Sequence, residues 1–314
     1  MAPLSAQQLS IVVQGVISAT TELALVAYRE KAPQAQIILS TYATCAPAAE
    51  ALQSRGLVDV VVLNDDPGAL PPTVKSPTAG PNNLNRMLAS TAAGLARADR
   101  AFALKVRSDA QIDPVRVMER WAAEGDRNRL LFASRYTRHP FGINGYLFHV
   151  SDWITFGQTQ RCRQYWSTPL MGQDDASYFD REPMPDRATA TARRFRARMT
   201  QEQWICSHYA RSQGYEVPAR LAHRDPILVR QYIEFLAKEC IVCDRESLGL
   251  ILPKHERAFV SLFQRLDCLG ESDWRRIQSQ WNNYALPGAG IRIPVFALRG
   301  LISRLVLARK RLFS

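Results

Sequence analysis

The chain has 314 residues, of which 46% are hydrophobic and 22% charged, and a formal net charge of +11. These values exclude a disordered polymer and leave enough apolar material for one large domain or two ordinary ones. No apolar run approaches the roughly 18 residues of a membrane span, and Gln7, Gln8 and Gln14 interrupt the first apolar segment, so neither a polytopic membrane protein nor a cleaved secretion signal is expected.

In chain order, the apolar stretch 11–17 predicts a first strand. Thr20 and Thr21 can open a helix to about Lys31, which Pro33 ends. Residues 37–40 read as a second strand, 47–55 as a helix broken by Gly56, and 59–63 as a strand buried on both faces. This short-spaced βαβαβ pattern points to a parallel sheet flanked by helices. A loop rich in Pro, Gly, Ser and Thr follows over 66–81, long enough to suggest a site loop or lid. Asn82 then caps a helix to about Ala98, with Leu84, Leu88, Ala92 and Leu95 in one stripe, and 101–106 is a fourth strand. Strands are expected at 130–134 and 146–150 and a new element from Asp152. Thr200 caps a helix to about Ser212, and further helices span 226–236 and 272–284. A linker, 287–290, precedes a basic tail.

In an open α/β sheet ligands sit beyond the carboxyl ends of the strands. The polar residues there are 14–18, Ser40 and Thr41, 64–66, and 107–109. Neither a G-x-G-x-x-G turn nor a G-x-x-x-x-G-K-[ST] loop is present, which disfavours dinucleotide oxidoreductases and P-loop ATPases. Lys105-Val106-Arg107-Ser108-Asp109 is the informative run. Alternation puts Lys105, Arg107 and Asp109 on one face, where two cations suit a diphosphate and a carboxylate can hold a divalent ion. An Arg107–Asp109 surface ion pair is the plainer alternative. Asp113 before Pro114 reads as a helix cap rather than half of a D-x-x-x-D metal site.

Glu202 in the first turn of its helix is either a complement to the helix dipole or a general base. His223 is a surface residue or a metal ligand. The run His149-Val150-Ser151-Asp152-Trp153 joins a carboxylate to an aromatic, either a core tryptophan or a face for a sugar acceptor. Cys45, Cys162, Cys206, Cys240, Cys243 and Cys268 are scattered, with a single C-x-x-C, as expected for reduced thiols in a cytoplasmic protein.

Six pieces recur in order: Pro33-x-Ala35-x-Ile37-Ile38-Leu39-Ser40-Thr41, Asp66-Pro67-Gly68, Asn82-x-x-Asn85-Arg86, Ser90-Thr91-x-x-Gly94-Leu95, Ala103-Leu104-Lys105-x-Arg107-Ser108-Asp109, and Ser151-Asp152-Trp153-x-x-Phe156-Gly157. Together they resemble the WavE-type lipopolysaccharide-synthesis proteins over about residues 10–210. The resemblance implies a GT-A-like, mostly parallel α/β fold and a glycosyltransferase, inverting in mechanism, acting on a nucleotide-sugar donor and a lipopolysaccharide or capsular saccharide acceptor. It makes Arg107-Ser108-Asp109 the counterpart of an Asp-x-Asp element, with Arg107 in place of the first acid. Lys105, Arg107, Ser108, Asp109, Asn85, Arg86 and Ser40 would then meet the donor, Glu202 and Asp152 would be catalytic, and Asp109 with His223 would hold Mn²⁺ or Mg²⁺, unless the cations replace the metal.

The expected organisation is a nucleotide-sugar and acceptor domain over 1–236, a helical extension over 237–290, and a basic amphipathic helix over 291–314. That last segment carries Arg292, Arg299, Arg304, Arg309, Lys310 and Arg311 with no acid. On a helical wheel Val295, Leu298, Leu301, Ile302, Leu305, Val306, Leu312 and Phe313 share one side, as in a helix lying on anionic lipid. This predicts a cytoplasmic protein peripheral to the inner membrane. Charge gathered at one end argues against nucleic acid. Two other readings stay open: a nucleotidyl or phosphoryl transferase, told apart by pyrophosphate release, and a non-enzymatic basic protein of the membrane surface.

Overall fold

The structure is a computed structural model and describes residues 4–142, 144–185, 188–253 and 267–284. The linker 287–290 and the basic segment 291–314 lie outside them.

Among the described residues seven strands form one sheet in the order β3-β2-β1-β4-β6-β5-β7. They are β1 (Leu9–Gln14), β2 (Gln36–Tyr42), β3 (Val60–Asn64), β4 (Phe102–Arg107), β5 (Leu130–Ala133), β6 (Ile154–Gln158) and β7 (Cys240–Cys243). β3, β2, β1 and β4 are mutually parallel, β6 runs antiparallel to both β4 and β5, and β7 is parallel to β5. The helices are α1 (Ala19–Lys31), α2 (Ala46–Ser54), α3 (Leu84–Ala96), α4 (Pro114–Ala123), α5 (Thr159–Trp166), α6 (Gln173–Ala176), α7 (Gln201–Ser212), α8 (Pro226–Lys238), α9 (Arg245–Leu248) and α10 (Glu271–Tyr284). The mostly parallel α/β sheet flanked by helices is the fold expected from the sequence.

The strands form where apolar runs stop at polar or turn residues, and β1 and β2 are buried along their whole length. From β1 the chain steps outward to β2 and β3, then returns past β1 to β4. Right-handed crossovers therefore place α1 and α2 on one face and α3 on the other. The reversal opens a switch point between the carboxyl ends of β1 and β4. α3 lies close on the sheet because residue 94 is glycine: a Cβ there would sit 2.6 Å from Val12 and 2.9 Å from Ser40.

Four expectations change. The run 59–63 was expected to be buried on both faces, but β3 is the edge strand and its residues are half-exposed or exposed. The apolar stretch 146–150 forms no strand, because Phe148 takes φ 51° and turns the backbone out of the extended region. Residues after 236, read as a helical extension, supply the sheet strand β7 before α10 packs on α8. In α3 the buried stripe runs through Thr91 rather than Ala92. Asp113 caps α4, its carboxylate accepting from the amides of Val115 and Arg116, and Thr200 caps α7 by accepting from Gln203.

Candidate functional site

A cleft of about 600 Å³ lies at the switch point, walled by the turn after β1 (residues 14–16 and 18), Tyr42, Ala43 and Thr44 after β2, residues 64–66 after β3, the start of α3, residues 107–109 after β4, and Gln201. Its floor depends on one glycine. Gly15 has φ +128°, and a Cβ there would come within 2.6 Å of the Ser108 hydroxyl. That hydroxyl donates to the Val16 carbonyl at 2.7 Å, and the Ser108 amide donates to the Gln14 carbonyl at 2.8 Å. The Thr21 hydroxyl of α1 donates to the Ser108 carbonyl at 2.9 Å. The β1 and β4 turns are thus stitched into one surface.

Two arginines enter the cleft, each held bidentately by an aspartate that also lines it. The Nε and Nη2 of Arg107 donate to the two Asp109 oxygens, both at 2.9 Å. The Nε and Nη2 of Arg86 donate to Asp66 at 2.7 and 2.6 Å. Burial works against the Arg107 charge, but the hydrogen bonds to Asp109 and the nearby Asp152 hold its pKa above the ordinary arginine value. Hydrogen bonding to Arg86 holds the Asp66 carboxylate below its usual range. Planar guanidinium forks of this kind match phosphate oxygens as well as carboxylates.

Near Arg107 lie two acidic side chains, one buried and one partly exposed. Asp152 is 3% exposed, with Oδ2 3.8 Å from Arg107 Nη1 and Oδ1 without a hydrogen-bond partner among the described residues. Burial and the charge of Glu202 raise its pKa. Glu202, in the first turn of α7, keeps a fifth of its side chain exposed, and desolvation raises its pKa above the ordinary glutamate value. Its neighbour Gln201 reaches the cleft and donates to Asn82 Oδ1 at 2.8 Å. Thus Arg107, Asp152 and Glu202 form one electrostatically coupled group, with Glu202 on its exposed side.

Of the residues singled out from the sequence, Arg86, Arg107, Ser108 and Asp109 line the cleft, with residues 64–66 and 14, 15, 16 and 18. Others stand elsewhere. Lys105 shares the Arg107 face, as alternation requires, but sits deeper. It is fully buried, donates to the Asp152 carbonyl at 2.6 Å and lies 4.4 Å over the Trp166 ring. Burial pulls its pKa down to about 7. Ser40 is buried and donates to the Ser90 carbonyl at 2.6 Å. Asn85 both donates to and accepts from the Met171 backbone, at 3.0 and 2.8 Å. Trp153 is buried in the core.

His223 is exposed. Its Nδ1 accepts from the Ala219 amide at 3.1 Å, and its Nε2 faces Asp225 at 4.0 Å. It is not brought to Asp109, whose two oxygens are both taken by Arg107. Among the described residues no three His, Cys, Asp or Glu side chains are grouped to hold a metal ion. The residues present therefore do not fit a protein-built metal centre of Asp109 and His223.

Tyr42, Thr44, Asn83, Met87 and Gln201 were not singled out from the sequence. β2 runs two residues past its expected end, and with that boundary the strand-end rule finds Tyr42. His149, which approaches Glu202, follows no spacing rule. A hollow of about 740 Å³ lies at the opposite, amino ends of the parallel strands. Two of its polar side chains are engaged within the chain: Gln36 binds Ser10, Asp99 and the Arg97 carbonyl, and Arg163 binds the carbonyls of Leu95 and Ala98.

A family model described as WavE lipopolysaccharide synthesis matches residues 9–299. No curated protein matches the chain. Among solved structures, the chain is similar to HddC from Yersinia pseudotuberculosis at 10% identity, covering 50% of this chain and 80% of that one, with a TM-score of 0.31. Similarity to the galactosyltransferase LgtC, solved with donor and acceptor sugar analogues, covers 54% of this chain and 62% of that one at 14% identity and a TM-score of 0.32. For residues 1–349 of S. aureus TarS the coverage is 95% and 79%, at 11% identity and a TM-score of 0.36.

Proposed function

This chain belongs to the WavE lipopolysaccharide synthesis family, and from that premise we propose that it is a GT-A-like glycosyltransferase moving a sugar from a nucleotide-sugar donor to a lipopolysaccharide or capsular saccharide acceptor. The observation that carries the reading is the cleft at the switch point, lined by the Arg107 fork and by Gln201 at the head of α7, with the carboxyl of Glu202, raised in pKa, next along that helix and within electrostatic reach of Arg107.

In this reading the donor diphosphate binds at the cleft side of the Arg107 guanidinium, which Asp109 holds in place, and Arg86 meets its other end. Glu202 accepts the proton of the acceptor hydroxyl as the acceptor oxygen bonds to the anomeric carbon. The bond from that carbon to the phosphate oxygen breaks, and the nucleoside diphosphate leaves with the electron pair. Attack and departure on opposite sides invert the centre. A base of raised pKa is a stronger one, and a preorganised guanidinium stabilises the charge growing on the leaving group. Asp152 does not reach the cleft and acts through Arg107. The chain supplies its own cation at the diphosphate, so the reading routes no step through Mn²⁺ or Mg²⁺.

The acceptor class also accounts for the basic segment 291–314, which in this reading rests on the anionic inner face of the membrane. Among the described residues no helix is long and apolar enough to cross a membrane. The test is product analysis with a panel of nucleotide sugars and lipopolysaccharide acceptors. Release of a nucleoside diphosphate with sugar on the acceptor, lost in Glu202→Gln, supports the reading. Pyrophosphate release, or full transfer by Glu202→Gln, overturns it.

A further inference from the structure

Phe148 and His149 are neighbours with opposite destinations. Phe148 is bulky and not glycine, yet it is held at φ 51° in the strained left-handed region. Its ring is buried against Tyr232 and Phe235, at centroid distances of 5.1 and 5.4 Å. The next residue faces Glu202. His149 is 2% exposed, and its Nε2 stands 3.5 Å from Glu202 Oε2. The Tyr146 ring lies nearly parallel to the imidazole, 17° off at 6.1 Å. The backbone is pinned as well: the His149 carbonyl accepts from the Arg138 amide at 2.8 Å and from the Tyr232 hydroxyl at 3.1 Å. A strained residue, a stacked ring and two hydrogen bonds thus fix one imidazole against one carboxylate.

We propose that His149 is a positioning residue for Glu202, a neutral imidazole that fixes the direction of the carboxylate without adding charge to it. The proposal rests on the reading of Glu202 as general base. Its neutrality has a physical source: burial and the Arg138 guanidinium hold the imidazole pKa down to about 3, against the opposing charges of Asp267 and Asp152. Neutrality matters, because a cation at the same distance would lower the pKa of the carboxylate and weaken it as a base. Glu202 already faces Arg138 and Arg107, which lower its pKa, and Thr200, whose side chain does the same. Burial outweighs these and the backbone hydrogen bond at Glu202, which also lowers the pKa, and the Asp152 carboxyl lies near enough to feel the Glu202 charge. A third cation would work against the raised pKa.

The test uses the full chain with ¹³C-labelled glutamate and no substrate. The Glu202 carboxyl resonance is assigned by its disappearance in Glu202→Gln and titrated in the native chain, His149→Leu and His149→Gln. The native midpoint is expected above that of an ordinary glutamate. Leucine removes the polar edge of the ring and is expected to raise the midpoint by about half a pH unit or more. Glutamine, whose amide reaches the place of Nε2, returns it toward the native value. Equal midpoints in all three chains, or a leucine shift that glutamine does not reverse, overturn the proposal. If His149→Leu does not fold, the contact is read from the other side, through the ¹⁵N shifts of the His149 ring in the native chain and Glu202→Gln. The shifts must differ between the two chains, and the ring must stay neutral from about pH 5 to 8; unchanged shifts or an imidazolium overturn the proposal. Full transfer by Glu202→Gln would instead remove the base assignment and leave the His149–Glu202 contact standing, so the two failures are distinguishable.

Discussion

Replacing Lys105 with methionine keeps the length of the side chain and deletes its charge. The ammonium is fully buried, bonded to one carbonyl and lying over Trp166, and its pKa falls from 10.5 to about 7 because burial disfavours the charged form. In the unfolded chain the group titrates near 10.5. Between the two values the unfolded state holds more protons, so stability falls as the pH drops through that window, by about 1.4 kcal/mol per unit. The full cost, on the order of 5 kcal/mol, is present below pH 7 and absent above about pH 10.5. Methionine removes that cost and gives up a hydrogen bond from a charged donor, about 1.5–3 kcal/mol. The variant is expected to be more stable than the native chain by about 2–3 kcal/mol at pH 6, with the advantage gone by pH 10. Urea unfolding at these pH values is the assay. A difference between the two chains that does not change with pH would refute the reasoning. Lys105 Nζ is held beneath the cleft by Asp152 and Trp166, so the variant is also expected to bind nucleotide as the native chain does.

Gly15→Ala puts a methyl group 2.6 Å from the Ser108 hydroxyl at a φ of +128°. It is expected to cost about 1–3 kcal/mol in thermal unfolding and to weaken nucleotide binding; a native melting temperature would show that the β1 and β4 turns do not depend on this approach. The raised pKa of Glu202 sets the sign of the pH dependence. Transfer should rise with pH along an acid limb lying above the ordinary glutamate range, and a limb at or below that range would contradict the burial of the base. Bound on the Arg107 fork without a metal, the nucleotide should stay bound in excess chelator. Loss of binding on chelation, restored by Mn²⁺, would place a metal at the diphosphate.

What could be read from the sequence was what apolar runs and caps dictate locally. β1, β2 and β4 are apolar runs ending in polar residues, and the strand-end rule placed Arg107, Ser108 and Asp109 in the cleft. Asp113 and Thr200 were legible as caps because a short oxygen before a helix has one local use. Depth was not legible. Alternation gives Lys105 and Arg107 the same face, but only the packing of α5 shows that Trp166 covers one and leaves the other open. Ser40 and Asn85 look like site residues by type, yet their polar atoms bind Ser90 and Met171, partners that sheet and helix packing bring from far along the chain. The run 146–150 has a strand's composition and fails to be one through a single positive φ, which no apolar pattern encodes.

The central claim is that Arg107, at the carboxyl end of β4, binds the diphosphate of a nucleotide donor. The most direct measurement is the stabilisation against thermal unfolding given by a panel of nucleoside diphosphates, in the native chain and in Arg107→Gln, each compared with its own ligand-free melting curve. At about one hundred times the dissociation constant a bound nucleotide adds about 2.7 kcal/mol. The account predicts that at least one nucleotide stabilises the native chain to this extent and leaves Arg107→Gln unmoved. Equal stabilisation of the two chains would contradict it.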